Sequence, residues 1–305
     1  MSAAAPSIER ERIPAPRQPR LSFAGSVGAE ARKVLGQRST VAILGVGVLL
    51  FVGVMLLLTL SSNGSVAVRQ APAAYFAEWQ DILFTVFTMG AGIVLLLTTA
   101  RLVGMEYSMG TIRILLARGT GRVQLLLAKL IVLALLGVVL LAVFTVASVI
   151  WTGAAVLHWT GSLTALTSLP ASTLHDLGLG LVMSLISIGF AILIGGATAT
   201  LGRSVAFGVG VAMVLFPADN FGTVILGLIS RLTHQQFWMD ISAYLLGPNL
   251  NHLPTLWISD RKVLSALTPP LMKVDLMHTL LTIGIWALGL LVLQVVLTWR
   301  RDVLA

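Results

Sequence analysis

The sequence predicts an all-α polytopic membrane protein with six transmembrane helices, an amphipathic elbow between the second and third, and outer re-entrant or interfacial helices between the fifth and sixth. Three observations predict it. Of 305 residues, 57% are hydrophobic, only 10% are charged, and the charges are bunched so that apolar runs of span length separate them. A soluble surface needs roughly a quarter of its residues charged, so this composition excludes an ordinary soluble enzyme and a disordered chain. The absence of cysteine excludes a disulfide scaffold, Cys-based metal sites and thiol catalysis.

A helix crosses the ~30 Å hydrocarbon core with about 20 mostly apolar residues, each rising ~1.5 Å. Residues 1–38 form a basic tail whose first twenty residues, rich in Pro and Arg, read as disordered. Within it Phe23, Val27, Ala31 and Val34 recur at helical spacing with Arg32 and Lys33 facing elsewhere, which predicts a helix over 23–37 lying along the inner interface. The transmembrane domain follows over 39–298, with spans at about 40–60, 82–100, 130–151, 177–201, 204–229 and 276–298, and residues 299–305 form a second tail. The fifth span is interrupted by Pro217, Ala218, Asp219 and Asn220. Either one helix kinks at Pro217, which lacks a backbone donor, or a short helix ends there and a re-entrant segment follows; both give six crossings. After it, Phe237, Trp238, Ile241, Tyr244 and Leu245 fall at helical spacing and predict an outer interfacial or re-entrant helix. The N-terminus does not read as a cleaved signal peptide, because the first apolar run starts near residue 40 and is far longer than a signal's apolar region.

Orientation comes from the scarce charges. Six spans place both termini on one side, and the segments on that side hold fifteen Lys and Arg against five on the other. The fifteen include five in residues 101–129 and, before the first span, seven that end with Arg32, Lys33 and Arg38. This bias puts both termini in the cytoplasm of a cell (inner) membrane protein. It also accounts for most of the net charge of +8, so no nucleic-acid partner is expected. Trp79, Trp151, Trp159, Trp238 and Trp257 then flank the outer boundary and Trp299 the inner one, as interfacial anchors do.

Catalytic motifs are missing: there is no phosphate loop, paired-His metal motif or nucleophile elbow. His158, His175, His234, His252 and His278 are scattered over outer segments and read as surface or interfacial residues rather than metal ligands. An ionisable group within a span is costly and therefore a functional candidate. Asp219 is the one here, and with Pro217, Asn220 and Gln294 of the last span it forms the candidate pathway or gate, unless the break is an outer turn where Asp219 faces water; Gln294 could bond across helices or line a cavity. Glycines in the spans, Gly45, Gly47, Gly53, Gly90, Gly92, Gly195, Gly196, Gly208 and Gly210, read as close-packing points.

The informative segment is RLVGMEYSMGTIRILLARGTGRVQLLLAK, residues 101–129. As a helix over 103–117 it places Met105, Met109, Ile112 and Leu116 on one face and Glu106, Gly110 and Arg113 on another, turned to the cytoplasm. Gly119, Thr120 and Gly121 break it, and Thr120 is positioned to cap a new helix starting at Arg122. The alternative is a loop resting on lipid headgroups.

Glu106-Tyr-Ser-Met-Gly-Thr-Ile-Arg113, followed by Leu115, Leu116, Arg118, Arg122, Leu126 and Lys129, resembles the segment between the second and third helices of ABC-2 type transporter permeases. The basic entry with Glu30, Arg32 and Lys33 and the closing Trp299-Arg300-Arg301-Asp302 are also similar. Gly119-Thr120-Gly121 departs from the proline or serine turn expected there. The resemblance implies the transmembrane subunit of an ABC exporter. Two permease chains, identical or different, would pair, and two copies of a separate ATP-binding subunit would dock on them, holding ATP and Mg; this chain would hold no cofactor or metal and would not be an enzyme by itself. Glu106, Gly110, Thr111 and Arg113 would form the coupling helix, with Arg118, Arg122 and Lys129 pinning the elbow to that subunit or to headgroups. An amphipathic, lipid-like or drug-like substrate is expected because the spans offer almost no fixed charge. A non-transporting scaffold or sensor component is the alternative, and an intramembrane enzyme, with Asp219 alone at depth, a more distant one.

Overall fold

The structure is a computed structural model and describes residues 22–61, 64–111, 121–257 and 269–300, with the backbone alone at 54, 57–61, 64, 65, 67, 216, 217 and 219–221. The regular structure among the described residues is entirely helical, in the order α1 (Phe23–Gly36), α2 (Arg38–Ser61), α3 (Gly64–Gln70), α4 (Pro72–Ser108), α5 (Arg122–Thr160), α6 (Thr164–Thr167), α7 (Ala171–Gly202), α8 (Val205–Thr233), α9 (Phe237–Ser242), α10 (Leu246–Trp257) and α11 (Leu276–Arg300).

Four of these, α4, α5, α7 and α11, are long and apolar enough to cross a membrane. A fifth span is counted if α1 and the start of α2, bent by 65° at Gln37, are taken together. The fifth predicted span is one continuous helix, α8, with shorter apolar stretches at Val205–Leu215 and Gly222–Thr233. Pro217 therefore does not end the helix, and its missing donor is accommodated within it.

Several helices outrun their apolar cores. α4 has 37 residues and α5 has 39, lengths of ~55 Å or more against a ~30 Å core. Their charged continuations, residues 101–108 and 122–129, meet α1 at one end of the bundle. The core between them is apolar and aromatic: Phe84 and Phe87 of α4 and Phe51 of α2 surround Phe144 of α5, with Phe87 and Phe144 stacked at 4.3 Å. α4 pairs most extensively with α7, and glycine permits the approach: a Cβ at Gly195 would lie 2.6 Å from the Leu96 carbonyl oxygen. Gly47 and Gly208 also sit in tight contacts, whereas Gly45, Gly53, Gly90, Gly92 and Gly210 face open space.

The two ends of the bundle differ in charge. Among the described residues, one end holds Arg32, Lys33, Arg38, Arg101, Arg122, Lys129, Arg203 and Arg300 with only Glu30 and Glu106. The other holds Arg69, Arg231 and Lys273 with Glu78, Asp81, Asp176, Asp240 and Asp275. Trp299 lies at the basic end, while Trp79 and Trp159 lie at the opposite end, where the Arg69 guanidinium rests 5.6 Å from the Trp159 ring.

At the end away from the basic one, α9 and α10 form a cap fixed to α11 through the turn that joins them. The Ala243 carbonyl accepts from Asn249 Nδ2 at 2.7 Å and faces His278 Nε2 at 2.9 Å, and the Tyr244 carbonyl accepts from Trp286 Nε1 at 2.9 Å. The helical spacing read over 237–245 thus corresponds to α9 and this turn.

Candidate functional site

The site is the junction of α1 with the ends of α4 and α5. α1 starts at Ser22, whose Oγ accepts from the Gly25 amide at 3.1 Å, and it buries Ser26, Glu30 and Val34, spaced four apart on one stripe. Val27 and Ala31 flank that stripe and pack on the core, as their spacing predicts, but Phe23 is exposed. The helix is thus seated on protein along one side.

α4 ends at Ser108. The Met109 amide donates to the Met105 carbonyl at 2.9 Å, and Gly110 turns into the left-handed region at φ 65°, with its amide 3.2 Å from the Tyr107 carbonyl. Glycine, with no Cβ, adopts this conformation at the least cost. The helix expected over 103–117 is therefore broken at Gly110, which separates Glu106 from the residues after it. The faces also differ from the expected ones: Glu106 follows Leu102 and Val103 on the buried side, whereas Met109 is 65% exposed. An acid can occupy this side because cations wait there, and an exposed methionine costs little beside headgroups. Across the elbow, α5 starts at Arg122 as expected, with Gly121 rather than Thr120 in the cap position.

Lys129 lies on the buried face of α5 with Leu125, Leu126, Val132 and Leu133 and is only 4% exposed. Its ammonium lies 2.6 Å from Glu30 Oε2 and 2.6 Å from Glu106 Oε1. Lys33 donates to the same Glu106 oxygen and stands 3.9 Å from Glu30 Oε2. The four groups close a ring of alternating sign, Glu30, Lys129, Glu106 and Lys33, with zero formal charge. Beside it, Gln124 Nε2 donates to Ser26 Oγ at 3.1 Å and ties α5 to α1 again. Burial disfavours the charge of Lys33, but its hydrogen bond to Glu106 and the fields of Glu106 and Glu30 outweigh this and raise its pKa above the ordinary lysine value.

Such a ring contributes little net stability, because desolvating each ion offsets most of the attraction. What it fixes is register: α1 can sit on α4 and α5 in one position only, since any slip leaves a buried charge unpaired. Close backbone contact extends the junction further. A Cβ at Gly104 would lie 2.8 Å from Val205 N and Cα, so the end of α4 touches the start of α8 directly.

Of the sequence-predicted site residues, the structure thus brings together Glu106 and Lys129. Gly110 forms the break, and Thr111 follows it as the last described residue before the elbow. Arg122 donates to the Trp299 carbonyl at 3.3 Å, joining α5 to α11. Arg113 and Arg118 lie outside the described residues. Pro217, Asp219 and Asn220 fall within α8, but their side chains lie outside the description. Gln294 is fully buried between α11 and α7, donating to the Leu193 carbonyl at 2.9 Å and the Leu290 carbonyl at 3.3 Å, with its oxygen against Gly196. It is a cross-helix bond.

Two sets of residues were not read as site residues from sequence. Glu30 and Lys33, noted only as part of the basic entry, complete the ring; the available signal was one acid on the apolar stripe of an otherwise basic segment. Gln80, Ser148 and Thr152 form a buried cluster between α4 and α5: Gln80 Nε2 donates to Thr152 Oγ1 at 2.9 Å, and Ser148 Oγ donates to Gln80 Oε1 at 3.0 Å. Their signal was Ser and Thr four apart in an apolar helix.

A family model described as ABC-2 family transporter protein matches residues 28–219, well over half of the chain and all four residues of the ring. The chain belongs to the ABC-2 transporter family. No curated protein matches it. It is accordingly a multi-pass membrane protein and a permease of the ABC-2 type, and its junction lies within the part the family shares.

Proposed function

We propose that this permease is the transmembrane half of an ATP-driven exporter, coupled through the α1–α4–α5 junction to a separate ATP-binding subunit. The observation that carries this reading is the charged ring beside the segment joining α4 to α5, at the basic end of the bundle. That segment, with Gly110, Thr111, Arg113 and Arg118, is the docking element. Force on it reaches the ends of both α4 and α5. The ring carries it to α1 and hence α2, and the Gly104 contact carries it to α8. Glu106 and Lys129 act inside the junction, as the linkage, rather than at the docking face.

In this reading all six long helices, α2 and α8 included, cross the inner membrane, and the basic end with both termini is cytoplasmic. Two permease chains pair, and ATP with Mg is held by two copies of the partner subunit. The substrate is amphipathic, lipid-like or drug-like, in keeping with the lack of fixed charge along the spans. Asp219 with Pro217 and Asn220 in α8 is the candidate gate.

The test is copurification of the permease with an ATP-binding subunit, followed by ATPase assay in lipid. Arg113→Ala with Arg118→Ala is expected to release the subunit or abolish stimulation of its ATPase by the permease. A permease that purifies alone, and in which these changes are silent, is a scaffold or sensor component and not an exporter half.

A further inference from the structure

We propose that the basic end of the permease is a binding surface for anionic phospholipid headgroups, formed by a belt of arginines. Among the described residues at this end, both lysines, Lys33 and Lys129, are held in the ring with Glu30 and Glu106. The other cations are all arginines, and no described carboxylate at this end lies outside the ring to balance them. Arg122 is engaged by the Trp299 carbonyl. Arg32, Arg38, Arg101, Arg203 and Arg300 remain, on α1, α2, α4, the α7–α8 turn and α11, where helices leave their apolar stretches; of these, Arg32 donates from Nε to the Gly28 carbonyl of its own helix at 3.3 Å.

The division of labour is chemical. A lysine ammonium is a compact charge suited to bridging two carboxylates. A guanidinium presents a planar fork that matches two phosphate oxygens at once. The belt is therefore built for phosphate. The same end carries exposed large apolar side chains: Phe23 and Leu35 on α1, Met109 at the end of α4, and Trp299 beside Arg300. Arginines alternating with exposed Phe, Leu, Met and Trp fit a headgroup layer with acyl chains beneath it better than they fit the acidic face of a soluble partner. The occupant is a phosphodiester lipid carrying net negative charge, in the leaflet that meets this end.

The test uses the purified full chain alone, so that it is separate from the question of the ATP-binding subunit. Wild type is reconstituted in phosphatidylcholine nanodiscs with and without phosphatidylglycerol. The measurements are the lipid retained after extraction, by native mass spectrometry, and the unfolding midpoint. Phosphatidylglycerol is expected to be retained over phosphatidylcholine by roughly tenfold beyond its bulk proportion and to raise the midpoint at low salt. R32Q/R38Q/R300Q removes exposed charges only; it is expected to unfold as wild type in phosphatidylcholine and to lose the preference. R32K/R38K/R300K keeps the charge and is expected to retain less phosphatidylglycerol than wild type. Inorganic phosphate is expected not to substitute for the lipid. Equal retention of the two lipids by wild type, or an unchanged preference in the glutamine variant, overturns the proposal.

Discussion

Neutralising Glu106 probes the junction most sharply. Its Oε1 receives Lys129 at 2.6 Å and Lys33 as well, and the residue is 3% exposed. Glu106→Gln keeps the shape but changes the ring from two cations and two anions to two cations facing Glu30 alone. Removing one partner of a buried pair costs about 3–5 kcal/mol. Because Lys129 keeps Glu30 at 2.6 Å, the lower end applies, and a loss of about 3 kcal/mol is expected. Lys129→Gln leaves the opposite imbalance, two carboxylates with only the partly exposed Lys33, and is expected to cost a similar amount. The double variant restores neutrality, with one carboxylate and one ammonium. Its loss is therefore expected to fall short of the sum of the singles by about 1–3 kcal/mol, the coupling typical of neighbours in one network. Denaturant unfolding of the purified permease in mixed micelles measures all three. Singles that cost under about 0.5 kcal/mol, as isolated surface pairs do, or a strictly additive double variant, would refute the ring as a buried, coupled unit.

Other outcomes follow from single contacts. Gly104→Ala places a methyl group 2.8 Å from the backbone of Val205, which cannot rotate aside; a loss of about 1–3 kcal/mol is expected, with faster hydrogen exchange confined to the end of α4 and the start of α8. Gln80→Leu removes both bonds to α5, but Thr152 and Ser148 still donate to their own helix carbonyls at 2.8 and 2.9 Å, so the expected loss is only about 1 kcal/mol by unfolding in micelles. The raised pKa of Lys33 has a defined sign: its stabilisation is complete below the ordinary lysine value of about 10.4 and is lost as pH rises through the higher folded value. The stability gap between wild type and Lys33→Met is thus expected to stay constant up to about pH 10 and to narrow above it.

The helices were legible because hydrocarbon thickness sets a length and charge marks the ends. The α1 helix, the start of α5 at Arg122 and the helical segment after α8 all followed from local pattern. The extension of α4 ahead of Asp81, from Pro72, did not, because a hydropathy run stops at the first charge while a helix continues for as long as its backbone bonds do. The orientation of Glu106 was misread for a related reason. A charged side chain on a helix reads as outward-facing, and only partners 73 and 23 residues away in sequence, Lys33 and Lys129, make its burial tolerable. Gly110 was read as part of a continuous helical face with Glu106 and Arg113, whereas its work is conformational, ending α4 at a positive φ. Gln294 was recognised as able to bond across helices, and it does, but its acceptor is a backbone carbonyl of α7 that no residue pattern encodes.

The proposed coupling of an ATP-binding subunit to the membrane helices runs through the ring. It is tested most directly by comparing ATP hydrolysis with substrate movement in proteoliposomes of the reconstituted complex, for wild type and Glu106→Gln. Glu106→Gln is expected to give a complex that still assembles and hydrolyses ATP but moves far less substrate per ATP, with the ratio partly recovered when Lys129→Gln is added. An unchanged ratio in Glu106→Gln would contradict it.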